Sequence, residues 1–71
     1  MIAAGPERLI YMANQIAANL AAQGADRAAR ETAEHITRYW DPSMRAALLR
    51  VDQGLLSAIA RAAVQNLAEV R

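Results

Sequence analysis

The sequence contains no cysteine, no lysine and no phenylalanine, and the first absence excludes several kinds of site. Without cysteine, the chain has no disulfide, no thiolate nucleophile, no cysteine zinc site and no ligand for an iron–sulfur cluster. Hydrophobic residues make up 55% of the 71 residues, but 18 of them are alanine and aromatic residues reach only 4%. A chain so short and so poor in large apolar side chains cannot enclose a roomy active-site cleft. Association with a partner or with itself is a sensible way to gain the missing burial.

The charges are almost balanced, with eight arginines against seven acidic residues and a formal net charge of +1. A dedicated polyanion binder shows a clustered basic excess, which is absent from this sequence. A helix-turn-helix DNA binder is also disfavoured, because Arg27, Arg30 and Arg38 alternate with Glu31 and Glu34, which would repel phosphates. We therefore expect no nucleic-acid partner.

No segment of the sequence has the composition of a membrane span or a signal peptide. The longest run without charge, residues 9–25, contains two asparagines and two glutamines and is too polar and too short to cross a bilayer. Residues 1–8 show no basic stretch followed by an apolar one. We expect a cytoplasmic protein that does not contact membranes.

Glycine and proline divide the chain into four predicted helices. Gly5 and Pro6 open the first helix, Gly24 closes it, Pro42 opens the third and Gly54 stops it. No strand-like alternation or internal repeat is present. The sequence predicts an all-α fold, a small bundle of about four helices with short turns in one domain of residues 1–71. The predicted helices are 6–23, 26–40, 42–53 and 57–70, with Asp26, Asp41 and Ser57 as N-caps.

Each predicted helix has an apolar stripe at helical spacing that we expect to form the core. The stripes are Leu9, Met12, Ala13, Ile16 and Leu20; Ala29, Thr32, Ala33, Ile36 and Trp40; Met44, Leu48 and Val51; and Leu56, Ile59, Ala63, Leu67 and Val70.

The faces opposite these stripes differ between the first two helices. The second helix carries an ordinary charged face with the i,i+4 pairs Arg27–Glu31, Arg30–Glu34 and Glu34–Arg38. The first helix carries no charge after Arg8, and its outer face consists of Tyr11, Asn14, Gln15, Ala18, Ala21 and Ala22. Two interpretations remain open: the face is covered by a partner, or alanine is present as the best helix former and contacts nothing.

The residues that could carry catalysis or bind a metal are isolated from one another. His35 is the only histidine, and no cysteine accompanies it, so both a metal site and a general base are strongly disfavoured. A solvated His35, paired with Glu31 one turn earlier, is favoured. Ser43 and Ser57 stand at helix starts without a nucleophile motif. We expect no catalytic, cofactor-binding or metal-binding residue in this chain.

Residues 35–45 bring together several residue types that are suited to binding. Two aromatic residues precede an Asp-Pro pair, and an arginine stands on either side of this group. Trp40 either fills the junction of the second and third helices or serves as a binding hot spot, and Asp41 is the expected cap. The predicted partner interface combines part of this segment with the first helix. It comprises Tyr11, Asn14, Gln15, Ala18, Tyr39, Trp40, Asp41 and Arg45.

Three segments carry a resemblance to a known family. Residues 7–17, with Met-Ala-Asn-Gln-Ile at their centre, and residues 39–45, Tyr-Trp-Asp-Pro-Ser-Met-Arg, resemble the delta subunit of NAD-dependent, molybdenum-containing formate dehydrogenase. Residues 54–64 are similar to the last helix of that family. The chain departs from the family pattern at Tyr39, where phenylalanine is common, at Ser43, where a basic residue is common, and at Ala58, where proline often follows the cap.

The resemblance implies a role in a larger enzyme. The family's complex oxidises formate to carbon dioxide and passes the electrons to NAD⁺. Its molybdenum bis-molybdopterin guanine dinucleotide, iron–sulfur clusters and FMN lie in the alpha, beta and gamma subunits. The delta subunit holds none of these groups and is needed for the assembled, active enzyme. We expect docking on the alpha subunit. A transient maturation chaperone and a free-standing helical interaction module are the alternatives.

Overall fold

The computed structural model describes residues 5–69 and folds them into four α-helices joined by short turns. These are α1 (Pro6–Leu20), α2 (Ala25–Tyr39), α3 (Pro42–Leu48) and α4 (Ala58–Glu69). Single 3-10 turns, Ala21–Gln23 and Gln53–Leu55, follow α1 and precede α4. No strand occurs in the part of the chain that the structure describes, so the prediction of an all-α fold is confirmed.

Two of the predicted helix caps are formed as expected. One carboxylate oxygen of Asp41 accepts a hydrogen bond from the Met44 amide at 2.9 Å, and Pro42 follows at the first helical position. The Ser57 hydroxyl accepts a hydrogen bond from the Ala60 amide at 3.2 Å. Both caps satisfy amide groups that the first turn of a helix leaves without an intrahelical partner.

The third predicted cap is wrong, because Asp26 lies inside the first turn of α2. Gly24 precedes the helix instead and adopts a φ of 96°, a conformation that glycine takes at little steric cost. The helix then begins at once at Ala25. The carboxylate of Asp26 is left near the positive end of the helix dipole, which it complements without capping.

The third helix is shorter than predicted and ends at Leu48 rather than at residue 53. The amides of Arg50 and Val51 bond to carbonyls three residues earlier, which tightens the backbone out of the α-helical pattern. The Asp52 carboxylate then accepts a hydrogen bond from the Gly54 amide at 2.9 Å and forms a local turn. A side chain at position 54 would meet that carboxylate at 3.2 Å, so Gly54 leaves room for the turn.

The core is built largely from small side chains where α2 packs against α4, with α1 and α3 completing it. Seven of the 13 buried hydrophobic residues are alanine, and four of the 13, Ala17, Ala28, Ala60 and Val64, lie outside the predicted stripes. The stripe on α2, including Trp40 at its end, is confirmed, while Met12, Ile16, Met44, Val51, Ile59 and Leu67 are partly buried against the core. Val70 lies outside the described residues.

One polar group is enclosed in this core. The side chain of Thr32 is fully buried on α2, and its hydroxyl has no hydrogen-bond partner within residues 5–69. None of the described helices is long and apolar enough to cross a bilayer.

Candidate functional site

The outer face of α1 is exposed in the structure, as the sequence predicts. The Tyr11 side chain is 66% exposed, and Gln15 and Ala18 are also exposed on the same side of the helix. No residue that is charged at neutral pH follows Arg8 on this helix. The face therefore presents a tyrosine, an amide and small apolar groups to its surroundings.

A shallow groove of about 260 Å³ lies between this face and the start of α4. The residues that line it are uncharged and mostly small: Asn14, Ala17, Ala18, Ala21, Ser57, Ala58 and Ile59. We call this set the alanine groove. Its α4 wall was missed by the sequence reasoning, because helical spacing shows which residues share one helix but not which second helix lies beside them.

Asn14 fixes the geometry of the alanine groove. Its side-chain amide donates to the Leu55 carbonyl at 3.1 Å, and its side-chain oxygen accepts from the Ser57 amide at 2.8 Å. Both polar atoms of Asn14 are thus engaged within the chain. They join the middle of α1 to the backbone that leads into α4, across more than 40 residues of sequence.

The corner at residues 39–45 divides into one exposed aromatic and several residues with internal roles. Tyr39 is 68% exposed, whereas Trp40 is 5% exposed and belongs to the core. Trp40 therefore fills the helix junction, and its side chain is not available to a partner on this surface. Asp41 accepts from the Ser43 hydroxyl at 2.7 Å as well as from the Met44 amide, so its carboxylate serves as the cap of α3.

Arg45 binds the end of α2 and is only partly exposed. Its Nη1 atom donates to the Trp40 carbonyl at 2.6 Å and to the Thr37 carbonyl at 3.2 Å. Carbonyls in the last turn of a helix lack intrahelical partners and attract cations. The guanidinium thus ties α3 back to α2, and only part of it faces outward at the predicted interface.

Arg61 has a corresponding role at the start of α4, and the sequence reasoning did not single it out. Its Nε atom donates to the Gln53 carbonyl at 3.2 Å and its Nη2 atom to the Leu56 carbonyl at 3.1 Å. Together with Asn14, it holds the segment between α3 and α4. The Leu55 side chain in this segment is exposed, while its carbonyl accepts a hydrogen bond from Asn14.

A second depression of about 210 Å³ lies along the outer side of α2. It is lined by Leu20 and by Glu31, Glu34, His35, Arg38 and Tyr39 of α2, and we call it the aromatic cleft. The rings of His35 and Tyr39 lie 4.8 Å apart at an interplanar angle of 47°. The predicted pairing of His35 with Glu31 is not formed, since Glu31 bonds Arg27 at 2.9 Å.

The charged face of α2 carries two of the three predicted ion pairs. Arg27 pairs with Glu31, and the Arg27 hydrogen bond holds the pKa of Glu31 below its usual value. Arg38 approaches Glu34 at 3.4 Å, with both side chains about two-thirds exposed. Exposed pairs of this kind contribute little to stability.

The side chains that could ligate a metal lie apart from one another in the part of the chain that the structure describes. Within residues 5–69, no three histidine, aspartate or glutamate side chains gather where they could hold a metal ion. His35 stacks on an aromatic ring, and Ser43 and Ser57 take part in cap hydrogen bonds. Two surfaces of the described residues are candidates for binding a partner: the outer face of α1 with the alanine groove, and the aromatic cleft.

Comparison with known proteins identifies the family. The family model described as NADH-dependent formate dehydrogenase delta subunit FdsD matches residues 8–64, which include all of α2 and α3, most of α1 and the first half of α4. No curated protein and no solved structure matches the chain. The matched segment contains the alanine groove and the corner at residues 39–45 in full. The chain therefore belongs to the FdsD family of formate dehydrogenase delta subunits.

Proposed function

We propose that this chain is a non-catalytic subunit of a cytoplasmic NAD-dependent formate dehydrogenase that docks through the outer face of α1 and the alanine groove. The alpha, molybdenum-bearing subunit is the expected partner, with the beta and gamma subunits in the same complex. Molybdenum bis-molybdopterin guanine dinucleotide, iron–sulfur clusters and FMN belong to those larger chains in this proposal. Burial of the groove would stabilise the alpha subunit in its active, assembled form.

The observation that carries the proposal is the uncharged alanine groove. None of its seven lining residues is ionisable, and its two polar side chains, Asn14 and Ser57, already form hydrogen bonds within the chain. A partner can cover such a surface without desolvating a charge. Small side chains also allow a partner backbone to approach closely. Tyr11, on the same outer face of α1, and Leu55, whose carbonyl binds Asn14, add two large exposed apolar side chains.

The test is co-purification of tagged chain with formate-dependent NAD⁺ reduction measured on the eluate. Ala18→Glu places a charge in the groove, and we expect it to reduce recovery of the larger subunits and the activity about tenfold or more, because an unpaired charge would be buried. Ala68→Glu makes the same change at an exposed position of α4 away from the groove and should assemble like the wild type. Arg30→Glu, on the charged face of α2, should also assemble.

Two outcomes would contradict the proposal in different ways. Normal assembly of Ala18→Glu would show that the alanine groove is not the docking surface. Failure of the wild-type chain to recover any larger subunit, with self-association instead, would favour a free-standing helical module. A transient maturation chaperone predicts a third result, in which the chain binds the immature alpha subunit but is absent from the purified active enzyme.

A further inference from the structure

We draw no further inference here: the strongest candidate, the aromatic cleft along α2, has both of its carboxylates paired with arginines of this chain, and nothing in the structure shows what covers it.

Discussion

Asp41 caps the start of α3 through two hydrogen bonds that its carboxylate accepts, one from the Ser43 hydroxyl and one from the Met44 amide. The Met44 amide is the main cause that lowers the pKa of this carboxyl, and the Ser43 hydroxyl adds to it. A carboxyl whose pKa is lower in the folded chain stabilises the fold fully above its unfolded pKa, near 4. That stabilisation is lost as the pH falls through the folded pKa.

We therefore predict that stability declines below about pH 4 in a way that depends on Asp41. Asparagine caps helices about as well as aspartate but does not titrate, so Asp41→Asn should keep most of the stability at pH 7 and decline less steeply in acid. Asp41→Ala should be less stable already at pH 7, since no cap remains. Urea unfolding followed by circular dichroism from pH 2.5 to 7 checks both. Equal acid slopes for wild type and Asp41→Asn would contradict this role of the carboxylate.

Residues with local partners could be predicted from the sequence, and residues with distant partners could not. Asp41 and Ser57 cap helices that begin directly after them, so residue type and position sufficed. Arg45 and Arg61 bind carbonyls five and eight residues earlier, across turns whose shape the sequence does not reveal. Their role as internal clamps explains why arginine in this chain is not simply surface charge, because a planar guanidinium can reach two carbonyls at once.

At the scale of elements, the segment between α3 and α4 depends on α1 for its position. The pattern of apolar residues extends the third helix to residue 53, but the Asp52 side chain offers the backbone a turn in its place. Asn14 then holds the Leu55 carbonyl and the Ser57 amide. Asn14 belongs to the predicted partner interface on the outer face of α1, a face for which the sequence left open both a partner and no contact at all. The structure shows that the same residue builds one wall of the groove and fixes the other.

Asn14→Ala should lower the free energy of unfolding by about 1–2 kcal/mol, because the Leu55 carbonyl and the Ser57 amide lose their hydrogen-bond partner. The higher helix propensity of alanine compensates only part of this loss. The matched control is Asn19→Ala on the same helix, where the exposed asparagine makes no side-chain hydrogen bond within residues 5–69. That variant should be unchanged or slightly more stable. Urea unfolding followed by the fluorescence of buried Trp40 measures both. Equal stabilities of the two variants would show that the Asn14 bonds contribute nothing.

At the scale of the whole molecule, a core made largely of alanine limits what the chain can gain by folding alone. Alanine buries little apolar surface per residue, and hydrophobic stabilisation scales with that surface. Composition predicted this shortage, since alanine dominates the hydrophobic residues. It could not predict where apolar surface stays exposed, because that depends on the angle at which α4 crosses α1. The two walls of the alanine groove, one from α1 and one from the start of α4, lie together only in the folded chain.

A partner that covers this surface should therefore raise the stability of the chain through mass action. With the remaining formate dehydrogenase subunits at about 100 times the dissociation constant, the free energy of unfolding should rise by about 2.7 kcal/mol. For a domain of this size that corresponds to a melting temperature higher by roughly 10–20 °C. Isotope-labelled chain, mixed with unlabelled subunits and heated while its own amide signals are followed, reports this shift. Ala18→Glu should lose most of the increase and Ala68→Glu should keep it. If all three proteins rise equally, the stabilising contact lies elsewhere than at the alanine groove, and if none rises, the subunits bind the folded and unfolded chain alike or not at all.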